Sequence, residues 1–326
     1  MDTRKSSLAL MLFTSLAFAQ PLQAPDSSIY TVVKSAFVVE SYGPDGDSAR
    51  FIANNTKDWD LLENAQSIHR AYLDTPSNNN QTDPDKKNSV QLRFEGIDTP
   101  EFGDGDNRQP YGKEARDYTL SYLGYKNLEY TPKGKEVRQA TPNRIRAVLL
   151  TRAAPNGTNG RPVVYVYREK DWTYSQESRT PIKAEWLETS LNYQLLEQGF
   201  AYPEMYLSQP KAHREAFKKA VVQARKTNAG IWKLDQSQDF SAPSFENIGE
   251  NGALILPKLY RRMDKYFTAQ QKQQTDLTFF EYLRTGKADN DRLLYQGKRL
   301  KLSDLLEQRG TQFNFNADLS EIVFEE

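Results

Sequence analysis

Asp98 and Glu101 flank Thr99 and Pro100 at the end of "VQLRFEGIDTPE" (90–101), and Arg93 sits on the same stretch. A second acidic turn, "PDGDS", carries Asp45 and Asp47. Two strand ends therefore each offer carboxylate oxygens, the donors preferred by a hard cation such as calcium, which tolerates irregular geometry. Nothing nearby offers nitrogen or sulfur to a softer metal. A planar guanidinium matches phosphate oxygens bidentately, so Arg93 beside such carboxylates points to phosphoryl chemistry over sugar or peptide chemistry. Each motif alone also has a structural reading. D-G-D is a common turn, and T-P-E resembles a helix start with Thr99 as cap and Pro100 at the first position.

Composition narrows the field. The chain has 326 residues, no cysteine and two histidines, His69 and His213, neither in an H-E-x-x-H pattern. Thiol catalysis, disulfides and cysteine-based zinc sites are excluded, and a histidine-dependent triad is disfavoured. "DGDNRQPYGKEA" resembles a calcium loop but has Gln109 where an EF-hand requires glycine. Formal charge balances at 43 basic against 43 acidic residues, so the whole-chain charge predicts no nucleic-acid partner. Locally, 211–233 and 256–301 are basic, and the last 25 residues are acidic. Such runs are commonly solvated faces.

The elements that must position these groups follow from periodicity. Strands are expected at 30–40 and 48–53 around a Gly/Pro/Asp turn, through "VQLRFEGID", and in "NLEYT", "RIRAVLLTRA" and "PVVYVYRE". Alternation along 90–94 turns Val90, Leu92 and Phe94 to one side and Gln91 and Arg93 to the other. Helices are expected in "YGKEARDYTLSYLGY", at 190–197 before Gly199, and at 211–226 before "NAGIW". Short strands with interspersed helices, and no regular βαβ alternation, predict a small β-barrel with helices. Beyond residue 236 a linker leads into a second unit. There Pro257 opens a helix with Leu259, Met263 and Phe267 spaced for burial, and further short helices are expected at 276–285 and 303–309.

The first residues have the pattern of an export leader. "MDTRKSSLALMLFTSLAFAQ" has Arg4 and Lys5, an apolar run from Leu8 to Phe18, and Ala17 and Ala19 spaced for cleavage after Ala19. No other segment has the roughly 20 apolar residues a membrane helix needs. The expected organisation is a signal peptide at 1–19, an N-terminal linker at 20–28, a barrel domain at 29–236 and a mainly helical accessory region at 237–326. The expected destination is the periplasm or the medium.

Taken together and in order, "DGDS", "VQLRFEGIDTPE", "YGKEARDYTLSYL", "NRIRAVLL", "LNYQLLEQGFAY" and "EAFKKAVVQARKTNAGIW" resemble the staphylococcal nuclease (thermonuclease) family over roughly residues 29 to 235. The resemblance implies an α+β, mostly β fold: an OB-fold five-stranded barrel with about three helices. It also implies a calcium-dependent phosphodiesterase acting on DNA and RNA, breaking the bond to the 5′ oxygen and leaving 3′-phosphates. By the same resemblance Asp47, Asp98 and the main-chain carbonyl of Thr99 match the metal ligands, with Asp45 beside them. Arg93 and Arg144 match the phosphate-binding arginines, and Glu101 matches the general base. Arg144 is matched through Ala147, because "ATPNR" departs from the family's Asp-x-Tyr-Gly-Arg loop. On residue type alone, Arg144 and Arg146 read equally as a solvated strand edge.

Further departures are an insertion at 54–89 beside the expected site, a long stretch from Ala153 to Glu185, and stacking tyrosines for which only Tyr202 and Tyr206 are candidates. Two other functions fit parts of the pattern: a non-catalytic OB module that binds single strands or a protein, and a calcium-stabilised structural protein. The second explains the acids and not the arginines.

Overall fold

The computed structural model describes residues 28–68, 89–103, 107–154, 160–286 and 288–325. The expected leader, residues 20–27 of the linker, and residues 69–88 of the insertion with His69 lie outside them. Among the described residues no helix is long and apolar enough to cross a membrane.

The first unit runs β1 (Ile29–Val38), β2 (Arg50–Ala53), β3 (Ser89–Gln91), β4 (Arg93–Phe94), β5 (Ile97–Asp98), α1 (Gly112–Leu123), β6 (Lys126–Tyr130) and β7 (Val137–Thr141). It continues with β8 (Arg144–Thr151), β9 (Val163–Arg168), β10 (Arg179–Pro181), α2 (Leu191–Glu197), β11 (Tyr202–Pro203), β12 (Met205–Tyr206) and α3 (Lys211–Lys226). The main sheet is ordered β3-β2-β1-β8-β9-β4, with β10 pairing β1. Its two edge strands, β3 and β4, are separated in the chain only by Leu92, so the sheet is strongly curled.

Val90, Leu92 and Phe94 are buried and Gln91 and Arg93 half-buried, as strand alternation requires. The expected single strand through Asp98 is broken, because Gly96 turns the chain at a φ of +74°. That bend sends β5 away from the main sheet to pair with β11, Asp98 opposite Tyr202. Inside the curl Phe37, Phe51, Phe94, Leu149 and Val166 form the core with Leu195 and Phe217 from α2 and α3. Each such side chain contributes about 1.5–3 kcal/mol on burial. His213 belongs to this core; its Nδ1 lies 3.0 Å from the Tyr165 hydroxyl.

The second unit comprises β13 (Phe240–Ser241), α4 (Pro257–Gln271), α5 (Phe279–Arg284), β14 (Arg292–Tyr295), β15 (Lys298–Lys301), β16 (Leu306–Arg309), β17 (Gln312–Phe315) and β18 (Val323–Phe324). The mainly helical expectation for this region is corrected here. Residues 303–309 lie in a 3-10 turn, Leu302–Leu305, followed by β16. Burial alternates within each strand of the β16–β17 hairpin, with buried Leu306 opposite buried Phe315, and Gly310 supplies the left-handed turn at a φ of +60°. α4 begins at Pro257 as expected and buries Leu259, Met263 and Phe267.

The two units are packed together. β12 pairs in parallel with β18, Met205 opposite Val323. Tyr202 and Ile231 of the first unit join Leu259, Tyr260 and Met263 in a second core. The acidic tail meets the basic α3: Arg225 pairs with Asp318 at 2.6 Å, and Lys218 pairs with Glu321. Partly exposed pairs of this kind contribute about 0–1 kcal/mol each, so the apolar core is what fixes the docking.

Candidate phosphodiester site

The acidic turn is brought to the end of β5 by backbone hydrogen bonds. Phe94 N–H donates to the Asp47 carbonyl at 2.9 Å, and Thr99 N–H donates to Asp47 Oδ2 at 3.2 Å. Thr119 Oγ1 of α1 donates to the Gly46 carbonyl at 2.6 Å. A Cβ on Gly46 would stand 2.6 Å from Thr99 Oγ1, so glycine is what lets the two turns meet. A Cβ on Gly112 would stand 2.3 Å from the Glu101 carbonyl oxygen, so α1 likewise starts directly against Glu101. Gln109 N–H donates to that carbonyl at 2.9 Å, and Glu101 N–H donates to Gln109 Oε1 at 3.2 Å.

The carboxylates feel one another strongly. Burial and then the charge of Asp98 push Asp47 up to about 7, against the opposing pull of Arg93. Burial and Asp47 push Asp45 well above the usual carboxylate range, and its Oδ1 accepts from Gly46 N–H at 2.8 Å. Burial also raises Glu101, although Arg261 works the other way. Asp98 is only 1% exposed, and the buried Thr99 Oγ1 has no hydrogen-bond partner among the described residues. Asp47, Asp98, Thr99, Glu101 and Arg93 thus converge.

Arg144 stands exposed as the first residue of β8, opposite Val38. A different second arginine is near Arg93. β4 pairs in parallel with β9, and Arg93 N–H donates to the Pro162 carbonyl at 3.0 Å, which brings Arg161 alongside. Burial and then the charge of Arg93 lower the Arg161 pKa, and Asp47, Arg261 and Glu204 also act on it.

Three further residues complete the site, none of them evident in the sequence. Glu204, only 2% exposed, is placed by its N–H donating to the Gly96 carbonyl at 3.0 Å, and its carboxylate pairs with Arg93. Lys258 Nζ reaches Glu204 Oε1 at 2.6 Å, and the Tyr206 hydroxyl donates to the same oxygen at 2.7 Å. Burial alone would raise the Glu204 pKa, but Arg93 and Lys258 overcome it and hold the carboxyl well below the usual range. The third residue is Arg261 of α4. Its Nη1 and Nη2 donate to Asp98 Oδ1 and Oδ2 at 2.9 and 2.8 Å, and Nη1 also donates to Glu101 Oε1 at 2.6 Å.

These contacts test the expected cation. The donors are all oxygens, as calcium requires. Both oxygens of Asp98 and one of Glu101 are nevertheless committed to Arg261, so the set as arranged does not fit a metal ion. Correspondingly, among the described residues no group of three or more His, Cys, Asp or Glu side chains is disposed to hold one.

Beside this network a cavity of about 710 Å³ lies between the units, lined by Arg93, Arg152, Glu204, Tyr206, Lys258 and Arg261 among others. Of the two candidate stacking tyrosines, Tyr206 lines this cavity, whereas Tyr202 is fully buried and donates to Asp235 Oδ1 at 2.9 Å. Comparison with protein families matches residues 91–234 to the model described as staphylococcal nuclease homologue. No curated protein matches the chain.

Proposed function

We propose, on the premise that residues 91–234 are a staphylococcal nuclease homologue domain, that the protein is a nuclease hydrolysing phosphodiester bonds of DNA and RNA. The observation that carries this reading is the convergence of Arg93, Asp98 and Glu101 from one continuous stretch with Asp47 from another, beside a cavity large enough for a nucleotide. The Arg93 guanidinium would grip the non-bridging phosphate oxygens, exchanging the Glu204 carboxylate for them. Arg161 is the nearer candidate for the second grip, and Arg144, suggested by the resemblance, would have to reach in from an exposed strand start. Glu101 would orient the attacking water and accept its proton. Following the course of the family, the bond to the 5′ oxygen breaks and a 3′-phosphate remains. Only with Arg261 withdrawn from Asp98 would Asp47, Asp98 and the Thr99 carbonyl hold calcium, which would supply positive charge to the phosphate. The leader-like first residues support export to the periplasm or the medium.

One observation favours a second reading, a non-catalytic module that holds nucleic acid or a protein without cutting: Arg261 already satisfies the acidic residues that hydrolysis needs. Incubating the purified chain with plasmid and with RNA, in calcium or in chelator, separates the two. The nuclease reading expects calcium-dependent cutting that falls on the order of a hundredfold in Glu101→Gln, the cost typical of losing one well-placed group. Retarded but intact nucleic acid, the same in both proteins, would establish the binding module instead.

A further inference from the structure

Lys258 and Arg261 stand three residues apart on α4 and so on one face of that helix. Both turn their charges onto the first unit, Lys258 onto Glu204 and Arg261 onto Asp98 and Glu101. The helix itself is fixed. Leu259, Tyr260 and Met263 are fully buried, Gln109 Nε2 donates to the Ile255 carbonyl at 2.8 Å, and Leu256 N–H donates to Ser237 Oγ at 2.8 Å. The Arg261 side chain is less confined. It keeps 28% of its surface exposed while the Asp98 side chain keeps 2%, so it can swing out while α4 remains docked.

We propose that Arg261 is a built-in competitor for the divalent cation, an autoinhibitory contact in which a guanidinium from the C-terminal unit neutralises the carboxylates that a cation would bind. The idea rests on the nuclease reading for what those carboxylates do, but the competition itself does not depend on hydrolysis. A forked guanidinium and a calcium ion claim the same Asp98 oxygens, so only the fraction of molecules with Arg261 withdrawn can bind the ion. Apparent affinity is reduced by that fraction. The C-terminal unit thereby sets the cation concentration at which the site opens. A ligand that draws Arg261 away, such as the phosphodiester of the substrate itself, would bind cooperatively with calcium.

Calorimetric titration of calcium into the full chain, Arg261→Lys and Arg261→Met tests this. Expected is affinity at least tenfold tighter in Arg261→Met, with Arg261→Lys between, because an ammonium keeps the charge and loses the fork. In the unaltered chain, ¹⁵N spectra of the arginine side chains should show the Arg261 guanidinium restrained at first and freed as calcium is added, a readout that holds even if a variant fails to fold. Equal affinity in all three proteins, or a guanidinium that stays restrained at saturating calcium, would overturn the proposal. Cleavage measured alongside keeps the two ideas apart. Tight calcium binding by Arg261→Met without cutting refutes hydrolysis and supports the competition. Cutting by the unaltered chain at the same calcium requirement as Arg261→Met refutes the competition and supports hydrolysis.

Discussion

Arg93→Lys is expected to lose on the order of a hundredfold in turnover, about 3 kcal/mol of barrier, while melting close to the unaltered chain. The two halves of this expectation have separate causes. Lysine keeps a positive charge opposite the buried Glu204, so the ion-pair network that joins β4 to α4 is retained. What is lost is the planar fork, which alone can hold two phosphate oxygens at once in a fixed orientation. Thermal melting and single-turnover cleavage of an end-labelled oligonucleotide at saturating calcium check the pair of outcomes. Near-native turnover would remove Arg93 from the reaction, and a collapsed melting transition would make its role structural.

Glu204→Gln carries the largest expected effect on stability. The carboxylate is only 2% exposed and sits between Arg93 and Lys258, with Arg261 4.0 Å away. Removing its charge while leaving those cations in place is expected to cost about 3–5 kcal/mol, as for breaking a buried pair from one side. The pH dependence has a definite sign. Because the folded pKa of Glu204 is depressed below its ordinary value of 4.5, its contribution is fully present above about that pH. It is lost as pH falls through the folded value. Urea midpoints at pH 7 and pH 3 should therefore show a large gap between the two proteins that narrows in acid. A gap that is absent at pH 7, or that does not change with pH, would show that the network is not held together by this carboxylate.

The parts of the site that were readable in the sequence are those governed by local rules. Alternation along 90–94 set Arg93 apart from Val90, Leu92 and Phe94, and the apolar spacing after Pro257 marked α4 and its buried Leu259, Met263 and Phe267. α3 ends at Lys226, as the "NAGIW" stop indicated. The partners of these residues were not readable, because they depend on pairings between distant segments. Glu204 reaches Arg93 only because Gly96 bends the chain so that β5 can pair with β11. Arg161 lies near Arg93 only through the parallel β4–β9 pairing. For Arg261 a partial signal existed: two cations three residues apart beside an apolar stripe. Periodicity shows which residues share a face and cannot show what that face meets. In the C-terminal unit the short segment at 303–309, followed by Gly310, read as a helix, whereas burial alternates within β16 from Leu306 and within β17 through Phe313 and Phe315.

The central claim is that a phosphodiester is bound between the β5 carboxylates and Arg93, and a crystal structure of the full chain grown with calcium and a phosphorothioate-linked dinucleotide tests it most directly. The account predicts phosphate oxygens on the Arg93 guanidinium, Arg261 turned away from Asp98, and a calcium ion among Asp47, Asp98 and the Thr99 carbonyl. A dinucleotide seated instead on the basic β14–β15 surface around Arg292, Arg299 and Lys301, with Arg261 still forked onto Asp98, would contradict it.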